Sequence, residues 1–247
     1  MFVKNADDPL SLGMAKDAGT KEKYQSLKAS NALNSMLEPY VHRVPASVLY
    51  DDLPPISQIA FHVRQTRAQS ELYQAFKKYR KKQSSERGNN FFWQYQQLRP
   101  IHNHPGSLLF PSKQTMQSLA KGDDGTNEVE WWKHVIEKKG ENEIRAVTNS
   151  NKIVLLLHIL ALAQTTNEKV LVFTNSISTL NFIEYVLTLE DWTEHVPSLA
   201  EKFPGMQLGG WQKSKHFLRI DGTDNASDRG DRICQFTSND SIKAFLL

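Results

Sequence analysis

At 247 residues with 39% hydrophobic content, the chain is long enough for one large domain or two small ones and apolar enough to bury cores. A net charge of +3 on 23% charged residues excludes a polybasic tail, so any nucleic-acid contact must come from local patches. The single cysteine, Cys234, excludes an internal disulfide and a cysteine-rich zinc site and fits a reducing compartment; MFVKNADDPL is no signal peptide, and Ile153 to Ala163, broken by His158, is shorter than the roughly 20 residues that span a bilayer.

The first 50 residues carry helical spacing in YQSLKASNALNSMLEPYV, with Leu27, Leu33, Met36, Leu37 and Val41 towards one face and Pro39 limiting its continuation. The paired prolines of DDLPPI (Asp51 to Ile56) force extended backbone, and QIAFHV after them alternates as a strand would. Arg64 to Lys82 reads as a helix with Leu72, Phe76 and Tyr79 on one side and the basic run KKYRKK at its end, a solvated terminus or a phosphate-facing patch. From Gln83 to Ser150 the chain turns polar and irregular, through SSERGNN, LRPIHNHPGSLLF and KGDDGTNE to the pair Trp131 and Trp132, which suits a connection between lobes.

From Asn151 the pattern alternates. KIVLLLHILALAQ is apolar nearly all round, as a buried helix should be, and KVLVFTN is a short β-branched run of the kind buried in a parallel sheet. SISTLNFIEYVLTL follows as a helix that Ser176 or Ser178 can cap. HFLRIDG reads as a strand, SDRGDRICQF as a helix and IKAFLL as a strand, so the fold class is α/β with a parallel sheet being wound. A three-stranded parallel sheet leaves apolar edges uncovered, and the layer is expected to be truncated.

Neither a phosphate-binding glycine-rich loop with its lysine nor a dinucleotide fingerprint occurs, and no catalytic residue is assigned. His102 and His104 lack carboxylate or cysteine partners at metal spacing and read as packing or hydrogen-bonding histidines. Asp221, Asp224, Asp228 and Asp231 miss the calcium-loop spacing and read as turn and cap residues. Cys234, between Ile233 and Phe236 on a helix, reads as a small apolar residue. Two loops remain, Thr174-Asn175-Ser176 and Asp221-Gly222-Thr223, each directly after a strand. In an open parallel sheet ligands bind beyond the carboxyl ends of strands, where hydroxyl, amide and backbone donors suit phosphate oxygens; capping is the competing role.

Five segments in one order resemble one family. LEPYVHR with LPPI and the basic helix containing LYQAF is similar to the end of the first RecA-like lobe of Swi/Snf-type motors of helicase superfamily two. LRPIHNHPGSLL is similar to their inter-lobe stretch, and KIVLLLHIL, KVLVFTN and LRIDGTDNASDRGDRICQF resemble the opening of the second lobe. The tryptophan pair and the insertion Leu189 to Lys215 are most similar to the ATRX-like branch. The resemblance implies a mostly helical end of the first lobe over residues 1–82, an inter-lobe linker over 83–150 and the truncated start of the helicase C-terminal lobe over 151–247, with P-loop and DExH motifs before Met1 and motifs V and VI after Leu247. It implies a parent ATP-dependent DNA translocase and chromatin remodeller in the nucleus. That parent would use ATP and Mg, which this piece alone would not bind or hydrolyse, and its partners would be double-stranded and nucleosomal DNA and chromatin proteins. Backbone grip would fall on Thr174 and Asn175, with Gly222 and Thr223 weaker and Arg229 lending charge. Asp224 stands where the family commonly has a hydroxyl, LPPI lacks the usual lysine, and Arg43 is single where two arginines are common. The alternatives from other classes are a non-catalytic protein-docking or DNA-binding α/β module, docking through its exposed surface and the tryptophan pair, and a small-molecule α/β enzyme.

Overall fold

A computed structural model of the chain describes residues 3–42, 44, 46–49, 54–82, 91–111 and 131–247. Arg43, Asp51 to Leu53 and the SSERGNN and KGDDGTNE stretches lie outside the described residues. Two compact units part between Ala60 and Phe61.

The first unit is helical. Helix α1 (Asp8–Gly13) packs on α2 (Thr20–Leu37) so closely that a Cβ on Gly13 would lie 2.2 Å from that of Ser26. Helix α2 begins where the Glu22 carboxylate accepts from the Gly19 amide at 2.7 Å, and it ends before Pro39, as the sequence indicates. Its apolar stripe is not core: Leu27, Met36, Leu37 and Val41 are exposed and only Ala29 is buried.

The strand expected over QIAFHV is absent. Residues 54–66 form no regular structure, with Ile59 and Phe61 largely exposed. Alternation prepares a segment for a ladder without supplying the partner that satisfies its backbone.

The second unit contains α3 (Arg67–Lys82), α4 (Phe91–Asn103), α5 (Lys133–Lys139) and α6 (Glu141–Arg145), so the described part of 83–150 is mostly helical rather than irregular. Packing overrides its polar composition. Leu72, Phe76, Ile101 and Trp131 form a buried cluster, with the Trp131 ring edge-on to Phe76 at 5.1 Å. Trp131 is therefore core and not available as a docking surface.

The α/β layer follows the expected order: α7 (Asn151–Thr166), β1 (Val170–Val172), α8 (Ile177–Thr188), the short α9 (Trp192–His195) and α10 (Pro197–Lys202), β2 (Phe217–Arg219), α11 (Ala226–Ser238) and β3 (Ala244–Leu246). All pairings are parallel, and β3 lies between the other two, with Val170 and Phe217 both in register with Ala244. Helices α7 and α8 cover one face, where Leu157, Leu160, Phe182 and Leu187 meet Phe217, Ala244 and Leu246. On the opposite face α11 brings Phe236 against Phe245 and the Leu218 and Ile242 cluster. Leu171 on β1 and Phe173 just after it stay exposed. Helix α7 is less enclosed than its composition suggests, since Leu162 and Ile159 face outward. Cys234 is exposed rather than packed. The insertion before β2 folds into the core through Trp192 and Trp211, whose rings lie 5.1 Å apart.

Candidate nucleic-acid interface

Because the three strands are parallel, their carboxyl ends share one edge, and the loops after β1 and β2 both lie there, with the end of β3 between them. Two strand spacings separate them, about 10 Å. Helices α8 and α11 start from these loops, and α7, which precedes β1 and returns along it, also begins at this edge. Each N-terminus has its side-chain cap: Ser150 Oγ accepts from Lys152 N at 3.2 Å, Ser176 Oγ from Thr179 N at 3.3 Å and Asn225 Oδ1 from Asp228 N at 2.8 Å. Three helix N-termini give this edge a positive partial charge.

Thr174 and Asn175 line an open hollow of about 520 Å³ with Asn103, Phe173 and Leu247. The Thr174 amide donates to Leu247 O at 2.8 Å, which fixes the loop to β3, and its Oγ1 accepts from Ser176 N at 3.4 Å, so the hydroxyl proton is left for a ligand. Asn175 is exposed, and among the described residues its amide has no hydrogen-bond partner. Ser176 thus caps α8, while Asn175 is exposed and Thr174 half-buried.

The second loop is arranged differently. Asp221 Oδ1 accepts from both Thr223 N at 2.9 Å and Thr223 Oγ1 at 2.6 Å, an aspartate turn that commits the hydroxyl proton inward. The Thr223 hydroxyl, with the Thr223 amide and Arg219 beside it, holds the Asp221 carboxyl down at about 2, so this loop is anionic at neutral pH. Asp224 accepts from Asp221 N and pairs with Arg232 at 2.8 Å. Gly222 is exposed, with open space where a Cβ would stand, and exposed Arg229 reaches Asp221 O at 3.3 Å with one nitrogen. The two loops therefore share an edge but not a chemistry: the first offers donors, whereas the second offers one arginine and a carboxylate.

The HNHPG stretch positions the first loop. His104 is fully buried and stacks on Phe182 of α8 at 3.9 Å. Its Nδ1 accepts from Gly106 N at 2.8 Å, which places the proton on Nε2, 3.1 Å from Ala146 O. Burial pushes this imidazole down to about 4, so it is neutral. Gly106 is required by close approach, since a Cβ there would lie 2.5 Å from the Phe182 ring. Asn103 Nδ2 donates to Thr179 Oγ1 at 3.2 Å. The first turn of α8, and with it Thr174 and Asn175, is held by this stretch.

A polar junction that the sequence reading did not pick out lies alongside. The last four carbonyls of α4 are all satisfied: Pro100 by His104 N, Ile101 and His102 by buried Gln69 Nε2 at 3.0 and 3.2 Å, and Asn103 by Ser150 Oγ at 2.5 Å. Gln69 in turn closes a capping box at the start of α3, accepting from Thr66 N at 3.0 Å while Gln69 N donates to Thr66 Oγ1 at 3.3 Å. T-x-x-Q ahead of an apolar run was the available signal.

No family model matches the chain. Protein CHROMATIN REMODELING 20 of Arabidopsis thaliana is 27% identical over 97% of this chain and 18% of its own length. The transcriptional regulator ATRX homolog of Drosophila melanogaster is 23% identical over 99% of this chain and 24% of its own. The chain thus spans about a fifth of the length of the curated relatives it matches. Among solved structures, the Sulfolobus solfataricus SWI2/SNF2 ATPase core in complex with dsDNA aligns over 100% of this chain and 40% of that one, at 17% identity and a TM-score of 0.44.

Proposed function

From the kinship of this chain with the Swi/Snf-like chromatin remodellers of the ATRX-like branch, we propose that it is part of an ATP-dependent DNA translocase acting on nucleosomal DNA in the nucleus, with chromatin proteins as further partners. Residues 1–82 end the first motor lobe, 83–150 connect the lobes, and 151–247 open the second. Its own task is to grip the backbone of duplex DNA along the strand-carboxyl edge. The observation that carries this reading is the Thr174-Asn175 loop, whose hydroxyl and amide donors face an open hollow at the same edge as three capped helix N-termini. Arg229 lends charge, and Gly222 and Thr223 make the weaker contact, since Thr223 must release Asp221 to donate.

ATP and magnesium belong to the whole protein in this reading. Among the described residues no three His, Cys, Asp or Glu side chains are grouped to hold a metal ion, and the loop after β1 has no glycine or lysine to cradle phosphates.

The test is the double variant Thr174→Ala/Asn175→Ala, measured by anisotropy of labelled duplexes. Two lost hydrogen bonds at about 0.5–1.5 kcal/mol each weaken binding on the order of tenfold, alike on unrelated sequences. Wild-type affinity in that variant reduces the loop to a helix cap and ends the proposal.

A further inference from the structure

Beside the first loop lies a smaller hollow of about 200 Å³, lined by Arg64, Gln65, Gln69, His102, Asn151 and Lys152 among others, which the proposed function does not use. Asn103 joins the two hollows. It lines the first, and its Oδ1 accepts from Lys152 Nζ, which reaches over from the second at 3.3 Å.

The charge in this hollow is of one sign. Arg64 and Lys152 are exposed, and among the described residues neither is in an ion pair. His102 lies half-buried between them with Nδ1 3.1 Å from Gln65 Nε2, so a neutral ring carries its proton on Nε2. Burial first, then the Lys152 ammonium, keeps its basicity below the ordinary histidine value. Helix α7, 16 residues long, begins here with Asn151 and Lys152. Asn151 spends its amide on Arg64 O at 2.8 Å, which ties the Arg64 backbone to this helix start. Two cations without ion pairs, one of them with its backbone tied to a helix start, in a hollow with no acid in its lining favour an oxyanion.

We infer that Arg64 and Lys152, with His102 between them, form a second phosphodiester contact, continuing the backbone track from Thr174 and Asn175 past Asn103 along the same edge. This rests on the proposed duplex grip and assigns to it the charge that the first loop lacks. The two contacts differ in kind. Thr174 and Asn175 are uncharged donors and release no counterions, whereas Arg64 and Lys152 displace them, and each neutralised phosphate contributes about 0.9 to the slope of log affinity against log salt.

That difference supplies the test, made on the 247-residue chain with a labelled duplex titrated over a range of chloride. Arg64→Gln/Lys152→Gln is expected to lower the magnitude of the salt slope by roughly 1 to 2. Thr174→Ala/Asn175→Ala should weaken binding at every salt concentration with the slope unchanged, and Arg64→Lys/Lys152→Arg should restore the slope. Both altered side chains are exposed, so the melting temperature stays at the wild-type value and separates lost charge from lost fold. Duplex binding with an undiminished slope in the glutamine variant overturns this inference and leaves the proposed function standing. A wild-type chain with no affinity for duplex overturns both. Inorganic phosphate at constant ionic strength serves as the third arm: millimolar phosphate that displaces duplex from the wild type but not from the glutamine variant supports the assignment, whereas phosphate that binds the wild type and not the glutamine variant without displacing duplex identifies a site for free phosphate and overturns it.

Discussion

Replacing Gln69 by methionine keeps the volume of a side chain that is 3% exposed while deleting every polar contact it makes. Nε2 holds the Ile101 and His102 carbonyls, and Oε1 accepts from Thr66 N. The Ile101 carbonyl belongs to a fully buried residue and loses its partner outright, at about 1–3 kcal/mol; the half-buried His102 carbonyl loses a net bond of about 0.5–1.5 kcal/mol; the capping box of α3 contributes about 1 kcal/mol more. The total is about 2.5–5.5 kcal/mol. For a unit of this size each kcal/mol lowers the melting temperature by about 2–4 °C, so Gln69→Met should melt roughly 5–22 °C below wild type, followed by circular dichroism at 222 nm. Thr66→Ala removes the other half of the box, and the double variant should lose clearly less than the two single losses combined, because the partners share one network. A fall below roughly 3 °C for Gln69→Met would show that water satisfies these carbonyls, and the junction would then not hold α3 against α4.

Two further outcomes are expected. His104 has a folded value of about 4 against an ordinary 6.5, so its neutral form is favoured by folding: that contribution is complete above pH 6.5, fades as pH falls, and is gone below about 4. It amounts to about 3 kcal/mol, and a melting temperature of wild type relative to His104→Gln that does not narrow between pH 7 and pH 4 refutes it. At the second loop, Asp221→Asn removes the carboxylate that Thr223 and Arg219 keep ionised, so duplex affinity should rise about two- to fivefold at low salt and converge with wild type at high salt; a fall in affinity at low salt, with the fold intact, contradicts the picture of an anionic loop.

The α/β layer was legible because its signals were local. The β-branched Lys169 to Asn175 run, the serine ahead of α8 and the Asp221-Gly222 turn each name a strand, a start or a stop without help from distant residues. That both candidate loops share an edge followed from two strands in a parallel order. Which strand lies in the middle did not follow, since strand order is decided by which faces pack, and β3 between β1 and β2 has no sequence marker. QIAFHV misled because alternation is a property of one segment and a ladder of two. The polar span after Lys82 misled in the opposite sense: Trp93, Leu98, Ile101 and Trp131 are scattered among polar residues, and only Phe76 and Leu72 of another helix collect them. The two loops looked alike as short polar turns after strands, yet Asp221 turns the Thr223 hydroxyl inward, and Arg64 and Lys152, far apart in sequence, went unremarked until α7 and the segment before α3 brought them to one hollow.

The central place of β3 also governs the order in which the layer can assemble as it is synthesised. Among the described residues β1 and β2 each form their ladder with β3, so Val170 and Phe217 both meet their ladder partner only at Ala244. At about 5–20 residues per second, β1 emerges several seconds before its partner, with Leu171 and Phe173 already facing outward. Helices α7 and α8 can pair during that interval, because the Leu157, Leu160, Phe182 and Leu187 contacts need no strand. The nascent layer is thus a helical pair carrying an unpaired apolar strand, the species most exposed to chaperones and to mispairing until β3 arrives.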